Sequence, residues 1–148
     1  MARPLTHLVV STGLATVQWI RTGRLAPTVA PIATGFLIDV DHLFDLFRFR
    51  FRGKRAEGRV VLPLHGWEYL AVLVAIDRVC GRRFAGGLLL GYVAHLGIDQ
   101  VTNSTTHPFT YFLSFRWLHG FPSDLFSHDD EHDIGWMQQP LSGLWRYF

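Results

Sequence analysis

Apolar residues run through this chain in long blocks that glycine and proline interrupt, and the blocks carry helical rather than strand periodicity. Pro4 opens the first block and Gly23 closes it, which predicts a helix from Pro4 to about Thr22. After Pro27 and Pro31 a second helix is predicted from about Ile32 to Phe47. At 100° per residue its Phe36, Leu37, Val40, Leu43, Phe44 and Phe47 share one face, and Asp39, Asp41, His42 and Asp45 share an arc of about 160° on the other. A third helix fits HGWEYLAVLVAIDRVCG, introduced by Pro63 and stopped at Gly81, and a fourth runs from about Phe84 to Gln100. In the fourth, Gly86, Gly87 and Gly91 let another backbone come close. Short helices are expected near residues 109 to 118 and 123 to 133. Between the second and third helices FRFRFRGKR alternates strictly, which permits a short strand but suits a loop or a segment lying at a membrane surface better. The pattern as a whole predicts an all-α fold, a compact bundle of about four to six helices forming one domain over residues 1 to 148.

Composition adds a membrane to this picture. The chain is 49% hydrophobic and only 18% charged, with 12 Phe and 5 Trp, on the apolar side of soluble proteins. Its basic residues cluster as Arg48, Arg50, Arg52, Lys54, Arg55 and Arg59, a segment suited to anionic lipid headgroups. That segment is too narrow for a nucleic-acid footprint, which argues against such a partner. The lone Cys80 rules out an internal disulfide framework and a cysteine-rich zinc motif. The amino terminus superficially resembles a signal peptide, but His7 interrupts its apolar run, so it is expected to stay in the mature fold. No stretch offers about 18 uninterrupted apolar residues. An ionised Asp facing lipid at mid-bilayer costs about 2.5–3.5 kcal/mol, so the acids of the second helix must face protein, water or a cation.

The chemistry lies in the polar residues that break the apolar faces. His95 and Asp99, spaced i and i+4, point from one side of the fourth helix. His65 and Glu68 do the same at i and i+3, the second helix supplies Asp39, Asp41 and His42, and His7 sits early on the first. Any one such histidine is more often a hydrogen-bonded core residue, and one His–Asp pair is as readily an internal ion pair. Repetition over four helices favours a shared metal site in the bundle core. Imidazole and carboxylate donors without thiolate suit zinc, with manganese or iron as alternatives. Asp45 reads as solvated or arginine-paired, and His128 to Asp133 as a solvated acidic cap. No Gly-x-Ser-x-Gly nucleophile motif and no phosphate-cradling glycine loop occurs.

DVDHLFD, LPLHGWE and GYVAHLGIDQVT followed by HPF resemble, in order and approximate spacing, the small bacterial membrane-bound metal-dependent hydrolases. The likeness covers roughly residues 7 to 108. A fainter one, through the His-(x)3-Asp pair, links the chain to zinc-dependent phospholipase C. The resemblance implies a polar centre of His7, Asp39, Asp41, His42, His65, His95 and Asp99, with Thr102 and Pro108 shaping the turn behind it. Where the family's central motif has a second histidine this chain keeps only His65, which implies Glu68 or His107 as a substitute ligand. The expectation is thus a bacterial inner-membrane hydrolase, integral or tightly peripheral, acting on phosphoester bonds of a small or lipid substrate. His7, Asp41, His42, His65, His95 and Asp99 would hold the metal, and Glu68 or Asp39 would take the proton from water. The alternative is a non-enzymatic membrane-embedded binding or scaffold protein with an internal polar network.

Overall fold

A computed structural model describes residues 4–52, 58–80, 82–103 and 105–126. Six α-helices form its bulk: α1 (Pro4–Thr22), α2 (Leu25–Gly35), α3 (Asp41–Arg52), α4 (Tyr69–Cys80), α5 (Arg82–Thr102) and α6 (Leu113–Leu118). Among the described residues there is no strand, only an isolated bridge between Arg59 and Pro122. The all-α bundle expected from periodicity is therefore present. His128 to Asp133 and the end of the last expected short helix lie outside the described residues, as do positions 53 to 57 of the basic segment.

Gly23, in the left-handed region at φ +59°, turns the chain so that α2 folds back along α1. The tightest packing is between α2 and α5, and its cause is the absence of side chains. A Cβ on Gly87 would meet Pro27 O at 2.9 Å, and one on Gly91 would meet Pro31 O at 2.5 Å. Thr34 Oγ1 clasps the two helices by donating to Leu88 O at 2.6 Å. Gly87, Gly91, His95 and Asp99 follow at steps of four, so the face that lets α2 approach carries the polar pair two turns later.

The second predicted helix is two. α2 ends at Gly35, Phe36 leaves helical geometry at φ −130° and ψ −50°, and a 3₁₀ turn (Leu37–Val40) precedes α3. This break sets Asp39 on the turn, while Asp41 and Asp45 start the next helix. FRFRFR is neither loop nor strand but the end of α3. Leu43, Phe44, Phe47 and Phe51 lie at i, i+1, i+4 and i+8, forming one half-exposed to fully open stripe. The third predicted helix starts late, at Tyr69, because residues 60 to 68 form an irregular segment whose amides and carbonyls are held by side chains.

A core of Ile38, Val60, Leu62, Tyr92, Leu96, Tyr111 and Phe126 lies beneath that segment. Large apolar side chains also stay outside, among them Val9, Trp19, Ile20 and Leu25 on the α1–α2 hairpin. Among the described residues no helix is long and apolar enough to cross a membrane.

Candidate metal centre

Five elements bring the predicted polar residues to one place. α1 contributes His7, the 3₁₀ turn Asp39, the start of α3 Asp41 and His42, the irregular segment His65, and α5 His95 and Asp99. His7, His65, His95, Asp41 and Asp99 are all buried, Asp39 and His42 partly so.

Hydrogen bonds fix the tautomers. His95 Nδ1 lies 3.1 Å from Gly35 O. A carbonyl only accepts, so Nδ1 carries the proton and Nε2 of the neutral ring a lone pair. His65 Nδ1 lies 2.9 Å from Asp41 Oδ2, an acceptor as well, so its neutral Nε2 is likewise bare. These two bare nitrogens face each other at 2.9 Å. Asp39 Oδ1 stands 3.4 Å from both, and Asp99 Oδ2 stands 3.4 Å from His65 Nε2 and 3.3 Å from His95 Nε2. Four lone-pair atoms so close repel unless a cation sits among them. Ligands at about 2.0–2.1 Å from a tetrahedral ion stand about 3.3–3.4 Å apart. The four nitrogen–oxygen edges have that spacing and the nitrogen–nitrogen edge is shorter, and imidazole with carboxylate donors could hold a metal ion.

The remaining groups surround this cage. His7 Nε2 contacts the other oxygen of Asp99, Oδ1, at 3.2 Å, and its ring stacks on His95 with centroids 4.0 Å apart. Asp41 Oδ2 also accepts from Leu64 N at 2.8 Å. It holds His65 as an orienting carboxylate, the usual partner behind a metal-bound imidazole. His42 Nε2 stands 3.6 Å from Asp39 Oδ1, with its side chain about a quarter exposed.

Charge follows the same pattern. Burial works to raise the Asp99 carboxyl, but the imidazoles of His65, His7 and His95, when they carry a proton toward it, hold it well below the ordinary carboxylate range. Asp39 is lowered too, burial being outweighed by His65 and the neighbouring His95 and His42 imidazoles when they are protonated. Burial disfavours the His65 imidazolium, yet Asp39, Asp41 and Asp99 together raise its pKa well above the usual value. His42 goes the other way: burial and the neighbouring His65 lower it, so it stays neutral at pH 7.

Glu68 is not part of this centre. Its two oxygens accept from Leu113 N, Ser114 N and Ser114 Oγ at 2.6–2.9 Å, capping the start of α6. Those bonds pull its pKa down against burial and fit a structural anion rather than a proton acceptor in the cavity. The substitute ligand His107 is likewise elsewhere, stacked on Phe115 at 4.6 Å.

Asp45, read from the sequence as solvated or arginine-paired, does pair with Arg48 but is not solvated, and it has a structural role the sequence did not show. It is buried, and its Oδ2 accepts from Val61 N and Leu62 N at 2.9 and 2.8 Å while Arg48 pairs with Oδ1. From the opposite side the buried Arg116 guanidinium donates to the carbonyls of Val61, Leu62 and His65. Between them Leu62 is held at φ +40°, a conformation that a branched residue keeps only when its surroundings impose it. The i,i+4 spacing of Asp41 and Asp45 was a usable signal. Arg116, 51 residues from His65, offered none.

A small cavity of about 30 Å³, room for a water-sized group or two, opens beside the cage. His7, Asp39, His42, His65 and Asp99 line it together with Asn103 and Tyr111. Compared with known protein families, curated proteins and solved structures, the chain matches none.

Proposed function

We propose that this chain is a metal-dependent hydrolase of phosphoester bonds that works at a membrane surface, with zinc as its ion. The observation that carries this is the pair of buried imidazole Nε2 atoms facing each other at 2.9 Å, with carboxylate oxygens of Asp39 and Asp99 at 3.3–3.4 Å from them. His65, His95, Asp39 and Asp99 would hold the ion. When bound, it supplies a Lewis acid that polarises a phosphoryl oxygen and acidifies water near neutral pH.

The chain's own groups do the rest. Asp41 and the Gly35 carbonyl keep the Nδ1 protons of His65 and His95 in place, so both Nε2 atoms stay available. His7 steadies Asp99 from behind. His42, a neutral imidazole on the cavity wall, is the group able to take a proton. That role passes to it because Asp39 belongs to the cage and Glu68 caps α6.

A lipid substrate is favoured by α3. Its Leu43, Phe44, Phe47 and Phe51 stripe is open to solvent, with Arg50 and Arg52 exposed on the same helix. Apolar side chains there would enter the headgroup boundary, and each basic residue adds about 1 kcal/mol on an anionic surface.

Metal analysis of protein purified without added ions tests the centre directly. Near-stoichiometric zinc is expected, lost with the His95→Ala/Asp99→Ala double variant, together with turnover of bis(4-nitrophenyl) phosphate. Equal metal content in both proteins would refute the assignment. For the membrane, sedimentation with phosphatidylglycerol vesicles is expected to carry the protein down, and Phe47→Ser/Phe51→Ser to release it.

One observation favours a non-enzymatic alternative. With its raised pKa, His65 can keep a proton on Nε2 and donate it to His95, so a proton would take the place of the metal in an internal polar network. In that case chelator leaves the melting temperature unchanged, and the double variant melts lower although no metal was present.

A further inference from the structure

Tyr111 stands on the wall of the same cavity, is almost wholly buried, and has no role in holding the cage. Its ring is fixed edge-on against Phe126 with centroids 5.7 Å apart, and its carbonyl accepts from Trp67 N at 2.9 Å. The phenol oxygen accepts a hydrogen bond from Asn103 Nδ2. An amide NH₂ has no lone pair to offer in return, so the phenol hydrogen points elsewhere. Among the described residues the only hydrogen-bond partner of this hydroxyl is that amide, and none accepts its hydrogen. A buried donor left without an acceptor is costly, and a ligand oxygen in the cavity would relieve that cost.

We propose that the Tyr111 hydroxyl, aimed by Asn103, donates to a non-bridging oxygen of a singly charged phosphodiester. This rests on the hydrolase reading above and names the substrate class for that site. Two features of the wall select the diester. The donor is neutral, and no lysine or arginine is among the described residues lining the cavity, where Asp39 and Asp99 already bring negative charge. A doubly charged phosphomonoester would meet that charge with only the metal to offset it, whereas a diester carries one charge and needs one hydrogen bond more. The phenol stays a donor at working pH, because burial and the charges of Asp99 and Asp39 raise its pKa.

The test uses the zinc-loaded protein and two probes, dimethyl phosphate and inorganic phosphate, with binding read by calorimetry. Wild type is expected to bind dimethyl phosphate more tightly than inorganic phosphate. Tyr111→Phe should weaken dimethyl phosphate about five- to tenfold while its zinc content stays unchanged. In wild-type protein carrying 3-fluorotyrosine, the Tyr111 resonance should shift on adding dimethyl phosphate. That of Tyr92, whose hydroxyl is already engaged with the Leu64 and Gly66 carbonyls, should not. Equal affinity in variant and wild type, a stationary Tyr111 resonance, or tighter binding of inorganic phosphate would each overturn the inference and leave the metal centre standing. Absence of zinc, or of any phosphate affinity in wild type, would overturn it together with the hydrolase.

Discussion

His65 and Asp41 meet across 2.9 Å although they sit on different elements 24 residues apart. That contact decides which nitrogen of His65 is free. Exchanging the carboxylate for an amide keeps the shape but lets the side chain present an NH₂, and the ring is then free to turn or to carry its proton on Nε2. Loss of such a partner typically weakens metal binding 10- to 100-fold. Asp41→Asn is therefore expected to bind zinc at the same stoichiometry with an affinity lower by about that factor, measured by competition with a chromogenic chelator. Unchanged affinity would mean that Asp41 serves the fold alone.

The stability of the metal-free protein and the stabilisation that metal adds should respond to pH in opposite senses. His65 has a folded pKa above its unfolded value, so its contribution to stability is complete below about pH 6.5 and is lost as pH rises through the raised value. Asp39 and Asp99 are lowered, so theirs is present above about pH 4 and is lost as pH falls through their depressed values. Chelated protein should thus melt highest in mildly acidic buffer and progressively lower above neutrality. Zinc needs the same His65 nitrogen unprotonated, so the rise in melting temperature on adding zinc should grow with pH. Thermal melts with and without chelator across pH 5 to 9 check this, and a metal increment that shrank with pH would contradict it.

Arg116 is expected to be the most costly single charge to remove. Its fork satisfies three carbonyls of the segment that carries His65, and lysine, a point charge on a flexible stem, does not reproduce that geometry. Arg116→Met leaves those carbonyls buried without their donors and should cost about 3 kcal/mol or more, with Arg116→Lys intermediate. Urea unfolding of the chelated proteins gives the numbers. Metal affinity should fall alongside, since Leu62 is then released from its left-handed conformation and His65 follows it.

These side chains mark where sequence was legible and where it was not. Periodicity foretold α1 and α5 nearly to their ends, and the fixed i,i+4 geometry of a helix was enough to pair His95 with Asp99. It failed at Phe36, because nothing in the apolar pattern of residues 32 to 47 signals a break that only the packing of Gly35 against Ser11 and α5 makes necessary. Roles were harder than positions. Asp39, Asp41 and Glu68 are chemically alike in the sequence. Which one faces the cage, which orients an imidazole and which caps a helix depends on amides at Leu64, Leu113 and Ser114 whose placement is tertiary. Tyr111 was invisible for the same reason.

Gly91 and Gly97 lie on one helix and make a controlled comparison of packing with propensity. Around Gly97 nothing lies within 4 Å of an added Cβ, so Gly97→Ala should gain about 0.5–1 kcal/mol from helix propensity alone. At Gly91 the same methyl would meet Pro31 O at 2.5 Å and Thr34 Oγ1 at 2.6 Å, distances no Cβ tolerates. The helices must part, breaking the Thr34–Leu88 clasp, and overpacking of this kind costs about 1–3 kcal/mol or more. Because His95 follows one turn later and takes its tautomer from Gly35 O on the displaced helix, the damage should reach the centre. Gly91→Ala is thus expected to lose both stability and zinc affinity, and Gly97→Ala neither, by denaturant titration and chelator competition on the same samples. A Gly91→Ala protein that kept wild-type zinc affinity would show that the α2–α5 contact does not position His95.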